Sequence, residues 1–537
     1  STAEERAKTQ FKMVTSFKAV PGSLPRLRFG VAYRMRARAV DLAGNSLSLE
    51  SLRPDDFSQA TPAHTYTRFE PVIAPIVVLT GSLPGDKHPG ESLDRLVIRS
   101  NYDKSTEEYV PTFAALTANP GYAASSERLI APPKTSQLMA ERHGMFDLPS
   151  AGMKRDVETY DLIRTRADVV FAMDPASKCP LQEDLAVRYL PDPLARGASL
   201  VLLDRHGNPL GSARLLSFFL VGAEWPEAAA FRVRAVEGSE KIDWLWDETD
   251  RVLTVQLPKA EVATLQLSCH FGEGEMATQH QELMGVWHWI QEARPANMLE
   301  IKEMGRKGRH WMMTPSRDLV LIHPVQQPLI APAFHKLTPS RLLGATYAYV
   351  GDDQPMPVDG KSTVKVDIQA NWEEPLDDVA KDEPTKISGQ AHVFEYGIDP
   401  DDKEISQTLE PVFMREVTLH FARLSLVSPQ QAMAAGTQKA QVAAPAVAPA
   451  MAVQQKKPKA QATVPAQAVR PGVTPVAPEL RMPPGMVMPQ LPTKTGFSWR
   501  HDLGDTKYRK VRYRAVATTR FREYFPAGPP RQRAEEP

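Results

Sequence analysis

Gly272-Glu-Gly-Glu-Met-Ala277 has the G-x-G-x-x-A spacing of a dinucleotide-binding turn, and Glu300 follows 23 residues past Ala277, near where a ribose-binding acid sits. The strand-like Leu265 to Phe271 precedes it. An amphipathic helix within Ala277 to Ala293 follows, with Leu283, Val286, Trp287 and Ile290 on one face and Pro295 as its stop. Two features oppose that chemistry. Glu273 and Glu275 place negative charge where a helix N-terminus receives a pyrophosphate. The surrounding residues read as turn-linked strands and not as repeated βαβ units. The expectation is a plain strand-to-helix turn and no cofactor.

Other chemistry-bearing residues are scattered. Cys269, His270, His280 and His288 are close in sequence, but their spacing matches no zinc motif. His143 and His323 stand as single residues. Glu373, Glu374, Asp377 and Asp378, continued by Asp382 and Glu383, are the candidate metal ligands; they lack the regular spacing of a calcium loop and read as solvated. Ile242, Trp244 and Trp246 share one strand face, so Trp244 and Trp246 are the candidate ligand platform for a sugar ring, with an inward core face as the commoner arrangement. No G-x-S-x-G elbow, P-loop or kinase set is present, and no catalytic residue is assigned.

The elements that must position these residues are mostly strands. The chain has 537 residues, 64 basic and 64 acidic, so net charge is zero, which argues against a generally basic nucleic-acid binder. Its 48 prolines are nearly twice the usual share of about 5% and favour strands, turns and extended linkers. Cys179 and Cys269 are the two cysteines, too few for a disulfide scaffold. No apolar run approaches the roughly 18–20 residues of a membrane span. Strand candidates in the centre are Val72–Leu79, Leu93–Arg99, Leu200–Asp204, Phe231–Val236, Leu253–Leu257 and Leu319–His323, with a turn at Asp204 to Pro209. Ala131 to Gly144 reads as an extended loop with a short helix.

Period-two alternation is clearest from Leu27: Phe29, Val31, Tyr33, Met35, Ala37 and Ala39 alternate with Arg26, Arg28, Arg34, Arg36 and Arg38. This predicts a strand with one buried side, ended by the turn Asp41-Leu-Ala-Gly-Asn45. The arginines read as a solvated, aggregation-resisting face. Val511, Tyr513, Ala515 and Ala517 repeat the pattern, aligning Tyr33 with Tyr513. Val364, Val366, Ile368, Ala370 and Trp372 form a further alternating strand.

These strands resemble bacterial fibronectin type III or immunoglobulin-like β-sandwich domains, in which a tyrosine near the turn makes a corner hydrogen bond. The resemblance implies structural roles for Tyr33, Tyr513 and Trp372. Several phrases also resemble segments of large bacterial multi-domain proteins. The fold expected is mainly β: several antiparallel sandwiches, a few short helices and one long disordered insertion. Residues 1–69 are expected as an incomplete sandwich, 70–344 as a β-rich centre, and 345–427 plus 497–526 as a split sandwich. The Ala/Pro-rich 428–496 carries seven Lys/Arg against Glu479 alone and is expected as a disordered insertion, with 527–537 as a disordered tail. Such a loop costs only roughly 2 kcal/mol in closure entropy.

The chain begins with Ser1 and shows no signal-peptide pattern, which suggests a piece of a longer protein. The resemblance favours a cell-surface or extracellular setting. The function expected is a non-enzymatic structural, adhesive or assembly component, its partners being proteins or other domains of the same longer chain, without nucleic acid or a membrane span. The alternatives are a hydrolase or carbohydrate-active enzyme with its site in the centre, and a glycan-binding module.

Overall fold

The computed structural model describes residues 5–6, 14–15, 21–46, 57–83, 85–146, 164–166, 185–293, 295–376, 379–382, 385–408, 495–528 and 531–534. Cys179, Asp377, Asp378, Glu383, most of the 428–496 insertion and a strand expected at Val417 to Phe421 lie outside them. The described residues are mainly β, and the chain divides into two compact units. One comprises Ser1–Ala333, Pro357–Glu404 and Arg509–Pro537; the other comprises Phe334–Met356 and Ile405–Tyr508. Strands that alternation assigns to a single sandwich over 345–526 are thus shared between the two units.

In the first unit, two five-stranded sheets contribute to one hydrophobic core. Between Ala32 and Ile322 the strands in chain order are β1 (Ala32–Tyr33), β2 (His64–Thr65), β3 (Ile76–Leu79), β4 (Arg95–Val97), β5 (Ser126–Ala131), β6 (Gly197–Leu203), β7 (Arg214–Ser217), β8 (Phe231–Glu237), β9 (Asp243–Asp247), β10 (Val252–Leu257), β11 (Val262–His270) and β12 (Arg317–Ile322). One sheet runs β9-β10-β8-β5-β3 and the other β4-β12-β11-β6-β7. All six central strand candidates overlap these strands, although of Val72–Leu79 only Ile76–Leu79 is strand and of Leu93–Arg99 only Arg95–Val97. Phe231, Val233 and Ala235 are buried while Arg232 and Arg234 between them reach Glu127, so alternation is realised here as burial on one face. Each large apolar side chain so buried contributes about 1.5–3 kcal/mol. β8 pairs with β10, and β4 with β12, in parallel, whereas the resembled sandwiches use antiparallel sheets.

The N-terminal alternation did not translate into a long strand. Only Ala32–Tyr33 pairs, with His64–Thr65, and Leu27, Val31 and Met35 are exposed. Among the described residues, no neighbouring strand covers that apolar face. The segment is instead held at Phe29, whose ring stacks on Tyr66 and meets His143 edge-on, and whose amide donates to the Arg142 carbonyl. The Tyr33 hydroxyl accepts from the Arg28 amide at 2.8 Å and donates to the Arg26 carbonyl at 3.3 Å, a bond back to upstream backbone of the corner type. The turns Asp41–Asn45 and Asp204–Asn208 share one hydrogen-bond pattern. In each, the aspartate Oδ1 accepts two backbone amides, the asparagine side chain donates to Oδ2, and glycine takes positive φ.

After α1 (Thr106–Thr117) and α2 (Gln137–Arg142), the helix expected over Ala277–Ala293 is two helices, α3 (Gly274–Glu282) and α4 (Gly285–Ala293). The Arg68 backbone causes the break: its amide donates to Leu283 O and its carbonyl accepts from Gly285 N. A third helix, α5 (Met298–Arg306), ends at Gly308, whose φ is +71° and whose absent Cβ would lie 2.0 Å from the Cys269 carbonyl. Gly308→Ala combines a left-handed backbone with a collision against backbone, and a loss of about 2–3 kcal/mol is expected, read as a lower urea midpoint.

A third sheet in this unit runs β16-β15-β19-β20 from β15 (Thr363–Leu376), β16 (Thr385–Gly397), β19 (Val511–Thr519) and β20 (Gln532–Ala534). The last of these corrects the expected disordered tail. Gln532–Ala534 pairs with β19, and Arg533 donates to the Pro328 and Leu329 carbonyls. In the second unit, β13 (Leu337–Ser340), β14 (Tyr347–Asp352), β17 (Gln407–Thr408) and β18 (Thr495–Asp502) form a sheet in the order β13-β14-β18-β17. Thr495 and Gly496, expected in the insertion, begin β18.

Candidate functional site

The residues singled out by sequence are placed mostly in structural work. Trp244 is buried under the Arg214 guanidinium, 4.7 Å from the ring centroid, and Trp246 is half-buried against the same core and edge-on to Phe231. They therefore do not present two open faces to a sugar. Glu373 and Glu374 are not in a loop: they are consecutive residues of β15, so they face opposite sides. Glu373 pairs with Lys386, and Glu374 with Arg509 at 2.8 Å. Trp372 does not enter a core. It lies half-buried across Gly389, where a Cβ would come within 2.2 Å of the indole, and beside the Arg509 guanidinium. Tyr513 is half-buried on β19 opposite Ala370.

The turn after β11 is the plain strand-to-helix connection expected. β11 pairs antiparallel with both neighbours, and Arg306 donates to the Gly274 carbonyl. The nearby histidines do not converge. His270 Nδ1 accepts from Gly272 N, His280 Nδ1 bonds the Phe271 carbonyl, and His288 Nε2 bonds the Glu282 carbonyl. Cys269 is buried with its sulfur 3.2 Å from the Ile73 carbonyl, and burial pushes its thiol pKa up, away from reactivity. His323 is buried between Ser100 Oγ and the Leu257 carbonyl.

A polar cleft of about 390 Å³ lies where the loop before β4 meets β5, and sequence inspection missed it. Its hub is Glu91. Oε1 accepts from Ser126 Oγ at 2.5 Å and Arg128 Nη2 at 3.3 Å; Oε2 faces His88 Nδ1 at 3.1 Å and Arg99 Nη1 at 3.7 Å. Burial by itself would raise the Glu91 pKa, but the His88 and Ser126 hydrogen bonds and the two guanidinium charges outweigh it and hold it below the usual carboxylate range. Arg128 is further tied to the Ser92, Leu93, Arg95 and Glu127 carbonyls, and Arg99 to the Pro89 and Tyr524 carbonyls. The cluster therefore staples the 88–95 loop to β5.

His88 faces this hub on one side and Asn119 on the other, with Nε2 3.0 Å from the amide nitrogen. A carboxylate only accepts, so Nδ1 carries the proton and Nε2 accepts from Asn119. His88 is thus a carboxylate-backed imidazole, but Ser126 bonds the carboxylate and not the imidazole, so Ser126 and His88 do not form a nucleophile–base pair. Glu127, also on the cleft wall, is paired with Arg232 at 3.2 Å and Arg234 at 2.8 Å. The cleft thus has two carboxylates, each neutralised by its own arginine pair. The buried Tyr122 ring on the wall lies beside the Arg99 guanidinium, whose carbon is 5.7 Å from the ring centroid. The one sequence cue was the His88–Glu91 spacing, three residues apart around Pro89-Gly90.

No helix of the described residues is long and apolar enough to cross a membrane. No protein-family model, no curated protein and no solved structure matches this chain.

Proposed function

We propose that this chain is a non-enzymatic assembly component, a β-rich scaffold of the fibronectin- or immunoglobulin-like kind, whose contact element is the β15–β16 hairpin. The observation that carries it is the outer half of that hairpin. Val366, Ile368 and Ala370 are buried, but none of Asn371–Leu376 or Thr385–Gln390 is. Leu376 and Ile387 remain about half exposed, at 51% and 50%. Beyond Trp372, where pairing with β19 ends, the hairpin is a two-stranded ribbon, which is marginal in water unless something covers it. Here Trp372 lying over Gly389 stiffens the arm, while its apolar side chains stay available to a protein partner or a further domain of a longer chain. The Tyr33 corner bond and the turn after it support the sandwich kinship.

A photo-reactive residue at position 387 is expected to give one dominant protein adduct in producing cells, lost in Leu376→Glu. The same probe at Leu220, also exposed, serves as control. Equal adduct yields at the two positions would overturn the reading.

One observation favours a second reading, a hydrolase: the carboxylate-backed His88 at the cleft. A general base contributes about 10²–10⁴-fold to rate. Under the hydrolase reading His88→Ala loses that factor on the ester, phosphoester or glycoside that is turned over. The assembly reading expects wild type and His88→Ala to be indistinguishable across all three substrate classes.

A further inference from the structure

We infer that Asp367, His392 and Glu395 form a binding site for a divalent transition metal of the zinc type, with Lys365 as a displaceable internal cation. The three offer ligand atoms that all lie within 4.8 Å of one another. His392 Nε2 is 3.1 Å from Asp367 Oδ1, close to the roughly 3.3 Å that separates two ligands of a tetrahedral zinc at about 2.0–2.1 Å bonds. One imidazole and two carboxylates suit a borderline ion better than the hard, all-oxygen ions.

The backbone supplies an independent reason. Residues three apart on a regular strand face opposite sides of a sheet, so His392 and Glu395 should not meet. The β15–β16 register slips between Ile368 and Gln369: Ile368 pairs with Phe394 and Gln369 with His392, leaving Val393 as an extra residue. This bulge resets the alternation and turns both side chains toward Asp367, the residue opposite Glu395. A bulge that re-aims one histidine at two carboxylates is a local cost to the ladder with a chemical outcome.

Charge balance points the same way. Lys365 Nζ sits 2.6 Å from Glu395 and 3.2 Å from Asp367, at the place a cation would occupy. It returns one positive charge against two carboxylates, whereas a divalent ion with neutral His392 returns both. Lys365, Glu395 and His392 are each at least one-third exposed, so the lysine has room to swing out and the ion has a path in; Asp367 is the buried anchor.

Zinc titration of the full chain by calorimetry tests this, with magnesium as the hard-ion control. One zinc equivalent is expected in wild type that is absent in His392→Ala and in Asp367→Asn, each checked for a native circular dichroism spectrum. Lys365→Met, which removes the competitor, is expected to bind zinc at least tenfold more tightly. Identical zinc isotherms for wild type, His392→Ala and Lys365→Met would overturn the site, and so would magnesium binding as tight as zinc.

Discussion

Asp192→Ala is expected to lower the stability of the first unit by about 3–5 kcal/mol, the range for breaking one side of a buried ion pair. Arg68 and Asp192 are both almost fully buried and bonded twice, Nη1 to Oδ1 at 2.7 Å and Nη2 to Oδ2 at 2.5 Å. The remaining Arg68 donors reach the Glu70 and Pro71 carbonyls, and Asp192 also accepts the Leu194 amide. Losing the carboxylate leaves a guanidinium charge in the core with nothing of opposite sign against it. His143, held neutral at pH 7 because burial first and the Arg68 charge second push its pKa down to about 4, lies with Nε2 3.1 Å from Arg68 Nη1 but brings no negative charge. The same arginine's backbone separates α3 from α4, so its displacement also loosens the helical corner. Urea unfolding followed by tryptophan fluorescence measures the loss. Arg68→Met in the Asp192→Ala background should recover part of it, because the unpaired charge is then gone. A loss under 1 kcal/mol in the single variant would mean that water reaches the guanidinium.

Neither partner of that pair attracts notice in the sequence, and the reason is physical. Alternation reports what one segment prefers, so β8, β10 and β12 were legible from Phe231, Leu253 and Leu319 onward. So were the two Asp-x-x-Gly-Asn turns, whose hydrogen bonds close within five residues. The same signal misled at Leu27–Ala39, because a strand-like pattern says nothing about whether a partner strand exists to cover it. The Ala277–Ala293 periodicity was correct for both helices, yet the break between them is made by Arg68, more than 200 residues earlier. The chemistry was hidden for the same reason. His88, Glu91, Arg99, Asn119, Ser126 and Arg128 converge only because β4 and β5 bring their flanking loops together. His392 and Glu395 converge only because of one bulge. Helical or strand spacing, the basis of motif reading, cannot encode either.

Glu91→Gln carries the second large effect, again about 3–5 kcal/mol, because it strands two buried guanidiniums, Arg99 and Arg128, with a neutral amide between them. The sign of the pH dependence follows from the direction of the shift. A carboxyl whose folded pKa lies below its unfolded value, about 4.3, contributes stability that is fully present above that value. That contribution is lost as pH falls through the folded pKa, since protonation then costs more in the folded chain than in the unfolded one. Wild type should therefore lose stability steeply below about pH 4, while Glu91→Gln, already without the charge, should start lower at pH 7 and show a shallower acid limb. Urea midpoints from pH 7 to pH 3 for the two proteins decide it. Parallel curves would assign the acid limb to other carboxyls and leave Glu91 as a spectator. Converging curves would identify it as the charge that clamps the 88–95 loop to β5 and shapes the cleft wall that His88 faces.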